Sequence, residues 1–207
     1  MILKDILAAA VAGETLDPAR LAFLLELKEP GDLEALYRAA YQVKLRYIDS
    51  KVRLRGLIEV SNVCGKNCFY CGIRGGNRKV ARFTMSLEEI VAAARHAAEF
   101  RYGSVVLQAG ERSDPGWVDF IENAVREIKK LDGGRLGITL SLAEQSEETF
   151  RRWFDAGAHR YLLRIESSDP ALYAKLHPAD HSYAARVESL HLLRKTGYQV
   201  GTGVMVG

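Results

Sequence analysis

Residues 54–71 read LRGLIEVSNVCGKNCFYC, an apolar run that opens into a loop holding every cysteine of the chain. Residues 54–60 have the length and apolar content of a buried strand. Cys64, Cys68 and Cys71 follow within eight residues, with Gly65 among them and Gly72, Gly75 and Gly76 close behind. A thiol-rich loop directly after a strand sits at the end of a parallel sheet where α/β proteins carry their chemistry.

Outward from this stretch, strand and helix alternate. Ser86-Leu87-Glu88-Glu89 is a capping box, with Met85 and Ile90 placed as a hydrophobic staple, and it predicts a helix to about residue 100. Residues 104–108 are the next short apolar strand. Asp114-Pro115 opens a helix toward Leu131 whose buried side carries Phe120, Ala124, Ile128 and Leu131. Residues 136–140 form a third strand, and the helix at 146–156 is stopped by Gly157. A fourth strand covers 160–165, and Asp169-Pro170 starts a short helical turn. Val187, Leu190 and Leu193 mark a longer helix ending at Gly197, before a fifth strand at 199–206.

Before residue 50 the pattern is helical only. Asp17-Pro18 is a cap with proline at the first helical position, followed by Leu21, Leu24 and Leu25. After Pro30-Gly31, Leu33, Leu36, Tyr37, Ala40 and Val43 share one face. The expected organisation is a helical extension over 1–50 and an α/β domain over 51–207. Strands that are nearly continuous in apolar residues, each followed by a helix, imply a parallel sheet covered by helices. The fold class is α/β, a partial (β/α) barrel of about five βα units. A complete barrel needs roughly 250 residues. The last strand ends the chain with no helix to cover it, so the sequence reads as C-terminally incomplete.

Composition narrows the function classes. Of 207 residues, 48% are apolar, enough to fill a core. Lys and Arg number 29 against 26 Asp and Glu, so the net charge of +3 with no basic run gives no nucleic-acid footprint. The apolar stretch at 6–13 is too short for a bilayer, and Lys4 and Asp5 before it do not suit a secretory signal. A cytoplasmic protein with no membrane partner is expected.

Three cysteines so tightly grouped are no disulfide framework. Iron–sulfur clusters are held by thiolates, four being usual for a cubane. Three in one loop would hold three irons of a [4Fe–4S] cluster and leave the fourth open to a substrate or cofactor. Lys66, Arg74 and Arg78 would offset the cluster's negative charge. Zinc is the competing reading, but it wants four closed ligands. No second cysteine pair exists, and none of His96, His159, His177, His181 or His191 lies near the loop in sequence. GTGVMVG at 201–207 is no dinucleotide fingerprint, because it lies in a strand that no helix follows.

CGKNCFYC, with Tyr70 just before the last cysteine, resembles the CxxxCxxC signature of radical S-adenosylmethionine (SAM) enzymes. The surrounding IEVSNVCGKNCFYCGIR, LQAGE, ITLSLAE, DAGAHRYLLRIESSDPALYAKLHP and GTGVMVG are similar to the HydE family of [FeFe]-hydrogenase maturases, relatives of biotin synthase and methylornithine synthase. The resemblance implies a barrel enzyme that cleaves SAM reductively at a [4Fe–4S] cluster on Cys64, Cys68 and Cys71. It implies that Tyr70 lies along the adenine and that Gly110 and Glu111 meet the methionyl amine, with Ala109 where the family often has serine. Glu166 would bind the ribose hydroxyls and Arg186 the methionyl carboxylate, while Ser141 and Arg164 face the substrate. In place of the histidine that many HydE sequences have between that Arg and Glu stands Ile165. Implied partners are a small-molecule or iron-containing precursor, an electron donor such as ferredoxin or flavodoxin, and other hydrogenase maturases. Two other readings stay open: a biotin-synthase-like or methylornithine-synthase enzyme on a small organic substrate, and a cluster-binding fragment without turnover.

Overall fold

Helix-forming patterns and apolar strands sort the chain into two compact units, Met1–Val52 and Arg53–Gly207. The computed structural model describes residues 2–206; the expected end of the second segment at Gly207 lies outside them.

The first unit holds α1 (Leu3–Ala12), α2 (Pro18–Leu25) and α3 (Pro30–Ile48). Gly13 ends α1 in the left-handed conformation, at φ 91°. The Asp17 carboxylate caps α2 by accepting the Arg20 backbone N–H at 2.8 Å. Ile6 and Ala39 are the buried apolar residues of α1 and α3. Tyr37 and Ala40, read as facing inward, are exposed. The covered stripe runs through Leu36, Ala39 and Val43, about one residue round the helix from the expected one.

The second unit alternates β1 (Gly56–Ser61), α4 (Leu87–Glu99), β2 (Ser104–Ala109), α5 (Pro115–Lys129), β3 (Gly137–Ser141), α6 (Glu147–Asp155), β4 (Arg160–Leu162), α7 (Pro170–Leu176), α8 (Tyr183–Thr196) and β5 (Gln199–Gly201). All strands pair in parallel, in the order β1-β2-β3-β4-β5. Sequential parallel strands with intervening helices are the partial (β/α) barrel read from the sequence. Ile58, Val60, Val105, Leu107, Ile138, Leu140 and Tyr161 join Ile90, Ile121, Ile128, Trp153 and Leu193 of the helices in one core. The capping box at Ser86 is fully made, each partner accepting the other's backbone N–H.

Two strand boundaries and one helix face differ from the sequence reading. The fourth and fifth strands are three residues each, not six and eight. Leu163 and Ile165 stay buried beyond β4, so apolar content persists where the ladder has ended. On α5 the buried face is Trp117, Val118, Ile121, Ala124, Val125 and Ile128. Phe120 and Leu131 only flank it. Among the described residues no helix is long and apolar enough to cross a membrane.

Candidate functional site

β1 ends by turning its chain into the cysteine loop, and the return limb docks back along the strand. Ser61 Oγ donates to the Phe83 carbonyl at 2.8 Å, and Met85 N–H donates to Val60 O at 2.8 Å. Arg82 gathers the loop from outside: its guanidinium donates to the carbonyls of Asn62 (2.5 Å), Ile73 (2.7 Å) and Arg74 (2.7 Å). Neither contact is visible in a motif. Both keep a loop of irregular backbone from collapsing.

Cys64, Cys68 and Cys71 are partly exposed and line one cavity of about 160 Å3 at the strand ends. The residues expected to meet SAM or substrate border the same cavity: Tyr70, Gly110, Glu111, Ser141, Arg164, Glu166 and Arg186. They come from the ends of β1 to β4 and from α8, up to 122 residues apart in the chain.

Cys64 is the most tightly supported. Its sulfur receives the backbone N–H of Glu111 at 3.3 Å and of Lys66 at 3.4 Å. Such contacts aim two N–H donors at one sulfur. They require the end of β2 to lie against the loop, and Gly110 permits it. A Cβ at that position would stand 2.4 Å from Val63 O and 2.6 Å from Cys64 Cβ. Burial pushes the Cys68 thiol up. The Tyr70 phenol is itself pushed well up, by burial and then by Cys68.

The charged residues form a chain that the sequence reading did not contain. Lys66 lies 3.2 Å from Glu111 and 3.7 Å from Glu144, and Arg186 lies 2.7 Å from Glu144. Arg186 is 8% exposed, and its Nε–H points off the line to Glu144, leaving an ion pair without an aligned hydrogen bond. Burial works against the Arg186 charge, yet Glu144 and Tyr173 outweigh it, and its pKa rises. Lys66 behaves alike: burial opposes its charge, Glu111 and Glu144 overcome it, and its pKa goes up. The Glu111 carboxyl is raised, by burial first. Lys66 is therefore engaged by two carboxylates at the rim of the cysteine cavity. Arg74 Nη1 is turned onto the Cys71 carbonyl at 2.9 Å. Arg78 is exposed and does not border the cavity.

Glu166 sits at φ 63°, the left-handed region that a non-glycine residue rarely occupies. Its backbone N–H donates to Gly203 O at 3.1 Å and its carbonyl accepts Met205 N–H at 2.9 Å, so the strain is held by both sides. Arg164 lies 3.4 Å from the Glu166 carboxylate with its own side chain 54% exposed. That ion pair coexists with the cavity position of both groups. Ile165, between them, is buried.

Two histidines dismissed as distant in sequence stand at the loop. His181 Nε2 lies 3.3 Å from the Asn67 backbone nitrogen, and His177 Nε2 lies 3.2 Å from the Tyr70 hydroxyl. No sequence signal short of the fold itself marks them or Glu144.

The donor set suits an iron–sulfur cluster. Three thiols spread round one cavity offer each iron its own sulfur and leave one iron free. Among the described residues no three His, Cys, Asp or Glu side chains gather around a single metal ion.

Comparison with known proteins agrees with this geometry. The family model described as the radical SAM superfamily matches residues 58–207. The [FeFe] hydrogenase maturase subunit HydE of Thermotoga maritima is 44% identical over 184 residues, 88% of this chain and 51% of that protein. Biotin synthase of Bacillus pumilus is 30% identical over 192 residues, 88% of this chain and 56% of that protein. The crystal structure of methylornithine synthase (PylB) superposes with a TM-score of 0.87 at 27% identity, over 98% of this chain and 59% of that one. The chain spans about half the length of the curated relatives it matches.

Proposed function

The chain belongs to the radical SAM superfamily of enzymes, and from that premise we propose that it acts as a HydE-type maturase in assembly of the diiron subsite of [FeFe]-hydrogenase. The observation that carries the reading is the convergence of three loop cysteines with Glu166 and Arg186 on one cavity. Cys64, Cys68 and Cys71 would ligate a [4Fe–4S] cluster. When bound there, such a cluster would supply the single electron that reductive cleavage of S-adenosylmethionine to methionine and a 5′-deoxyadenosyl radical requires.

The chain's own residues bind and orient. Arg186, its charge secured by Glu144, offers a guanidinium to the methionyl carboxylate, a contact that fixes direction as well as affinity. Glu166 presents acceptor oxygens to the ribose hydroxyls. Tyr70 lies along the adenine. Gly110 and Glu111 would meet the methionyl amine through the Gly110 backbone carbonyl, since Glu111 O already accepts Gly65 N–H at 2.9 Å, and the missing hydroxyl at Ala109 is not needed. Ser141 and Arg164, which line the cavity, would meet the substrate, a small molecule or an iron-containing precursor. The wall formed by the strands keeps water and other hydrogen donors from the reacting carbon. An electron donor such as ferredoxin or flavodoxin and the other hydrogenase maturases would be its partners.

The HydE assignment draws on 44% identity over most of the chain. The superposition on methylornithine synthase favours a second reading, an enzyme on a small organic substrate. Anaerobic reconstitution with iron and sulfide should give a brown protein of about four irons per chain, and with dithionite and SAM it should release 5′-deoxyadenosine. Cys68→Ala should abolish both. Colour without cleavage would make the chain a cluster-binding fragment. Rescue of hydrogenase activity in a HydE-deletion strain would separate the first reading from the second.

A further inference from the structure

The loop is anchored at two places, and the second is built from residues that the proposed chemistry does not use. Cys64 is held by backbone N–H groups of its own loop and of the end of β2. Residues 67–70, with Cys68 in their midst, instead lean on the link between α7 and α8. Asn67 N–H reaches His181 Nε2 at 3.3 Å, Phe69 N–H donates to Leu176 O at 3.0 Å, and the Tyr70 hydroxyl lies 3.2 Å from His177 Nε2.

The protonation of both imidazoles follows from their partners. His177 Nδ1 lies 2.8 Å from the Tyr173 carbonyl, which only accepts, so Nδ1 carries the proton. Nε2 is then a lone pair and Tyr70 is the donor. At His181 the backbone N–H of Asn67 only donates, so Nε2 is again the lone pair. Nδ1–H then turns to Asp180 Oδ1, 2.8 Å away. Both rings are buried, at 2% and 8% exposure. Burial holds the His177 pKa down, in keeping with a neutral ring. Tyr173 stacks on His177 with centroids 4.0 Å apart, which sets the ring plane from α7. The link between the two histidines is tightened by His181 N–H onto Pro178 O at 3.0 Å.

We propose that His177 and His181 are positioning residues, two neutral acceptors that hold residues 67–70 so that the Cys68 sulfur faces the cavity. The inference rests on the cluster reading above for its consequence, but not for the contacts themselves. An imidazole suits this task because one nitrogen is locked by a partner while the other stays a pure acceptor. Phenylalanine keeps the ring volume and loses the acceptor. Glutamine loses the ring and can restore an acceptor oxygen.

The test compares His177→Phe, His181→Phe and the matching glutamine variants with the parent protein. Amide hydrogen exchange of the peptide covering residues 67–70 is followed in the metal-free chain, and loss of iron to a chelator in the reconstituted one. Each phenylalanine variant should exchange that peptide and release iron roughly tenfold faster, the equivalent of about one net buried hydrogen bond. The glutamine variants should return toward the parent rate. Tyr70→Phe should lose the same amount as His177→Phe, and the pair together no more than either. Parent-like exchange in folded phenylalanine variants overturns the proposal, and so does faster exchange that glutamine leaves uncorrected, since packing alone would then explain it. If the parent protein takes up no iron, the cluster reading fails while the exchange measurement still decides the role of the histidines.

Discussion

The two halves of the sheet are built differently. From β1 to β3 the strands are five or six residues long and pair along nearly their whole length. β4 and β5 pair over three residues, then drift apart from ladder geometry. Leu163 N–H still reaches Gly201 O, but Ile165 N–H must take the Thr202 hydroxyl, and Glu166 turns to φ 63°. The regular half buries Ile58, Val60, Val105, Leu107, Ile138 and Leu140 in the core. The irregular half turns a carboxylate and a guanidinium toward the cavity. Strain of order 1–3 kcal/mol at one residue is tolerable only because an ordered framework stands beside it.

Equal deletions in the two halves should therefore have unequal costs. Leu107 on β2 is fully buried and Leu162 on β4 is half-covered. Leu107→Ala should lose about 2–5 kcal/mol of unfolding free energy, transfer and cavity terms together. Leu162→Ala should lose about 1 kcal/mol, since its site already borders open space. Urea melts of both variants measure the difference, and similar values would erase the distinction drawn here.

A smaller effect of opposite sign is expected where the backbone is strained. Ala143, after β3, stands at φ 61° and Glu166 at φ 63°. Glycine at either position removes the left-handed penalty, so each variant should gain about 1 kcal/mol, less the extra chain entropy of glycine. The two should part in function. Ala143→Gly removes no polar group from the cavity and should leave SAM binding unchanged. Glu166→Gly should bind SAM weakly despite melting higher, the mark of strain kept for a task.

The same division decides what the sequence could tell. The cap at Ser86, the proline at the start of α5 and the alternation up to β3 are local signals, and they mark elements within a residue or two. Past β4 the apolar run of Leu163 and Ile165 continues, but burial and ladder hydrogen bonding have separated, so the strand reads too long. At the site, the three cysteines are legible because they are adjacent in the chain. Glu166 and Arg186 are legible only through resemblance to relatives. Glu144, His177 and His181 are legible by neither route. Their partners Lys66, Tyr70 and Asn67 lie 78 to 114 residues away, and only the fold, which sets the loop after β3 and the α7–α8 link against the cysteine loop, brings them together. The ion pairs of Lys66 are hidden for the same reason, since the carboxylates that engage it follow β2 and β3.

Acid should act on the two kinds of carboxylate in opposite directions, with the smallest effect of the set. On the helical layer, Glu122 of α5 accepts from Arg126 at 2.7 Å and from Arg152 of α6 at 2.7 Å. Arg126 first, then Arg152, hold its carboxyl below the usual range against the cost of burial. The unfolded chain then binds more protons than the folded one as pH drops below about 4.3. The stabilisation is complete above that value and disappears as pH falls through the lower folded pKa. At this half-solvated surface it is below about 1 kcal/mol. Glu111 has the reverse sign. Burial raises its carboxyl despite Lys66, so its ionisation costs stability as pH rises from the ordinary carboxylate range through the raised folded pKa. Melting curves between pH 3 and 7 should show Glu122→Gln losing part of the parent's gain in stability with rising pH. Glu111→Gln should steepen that gain. Parallel curves for the two variants would mean that the cavity carboxylate is solvated like any surface acid, and that the cavity and the helical layer are electrostatically alike.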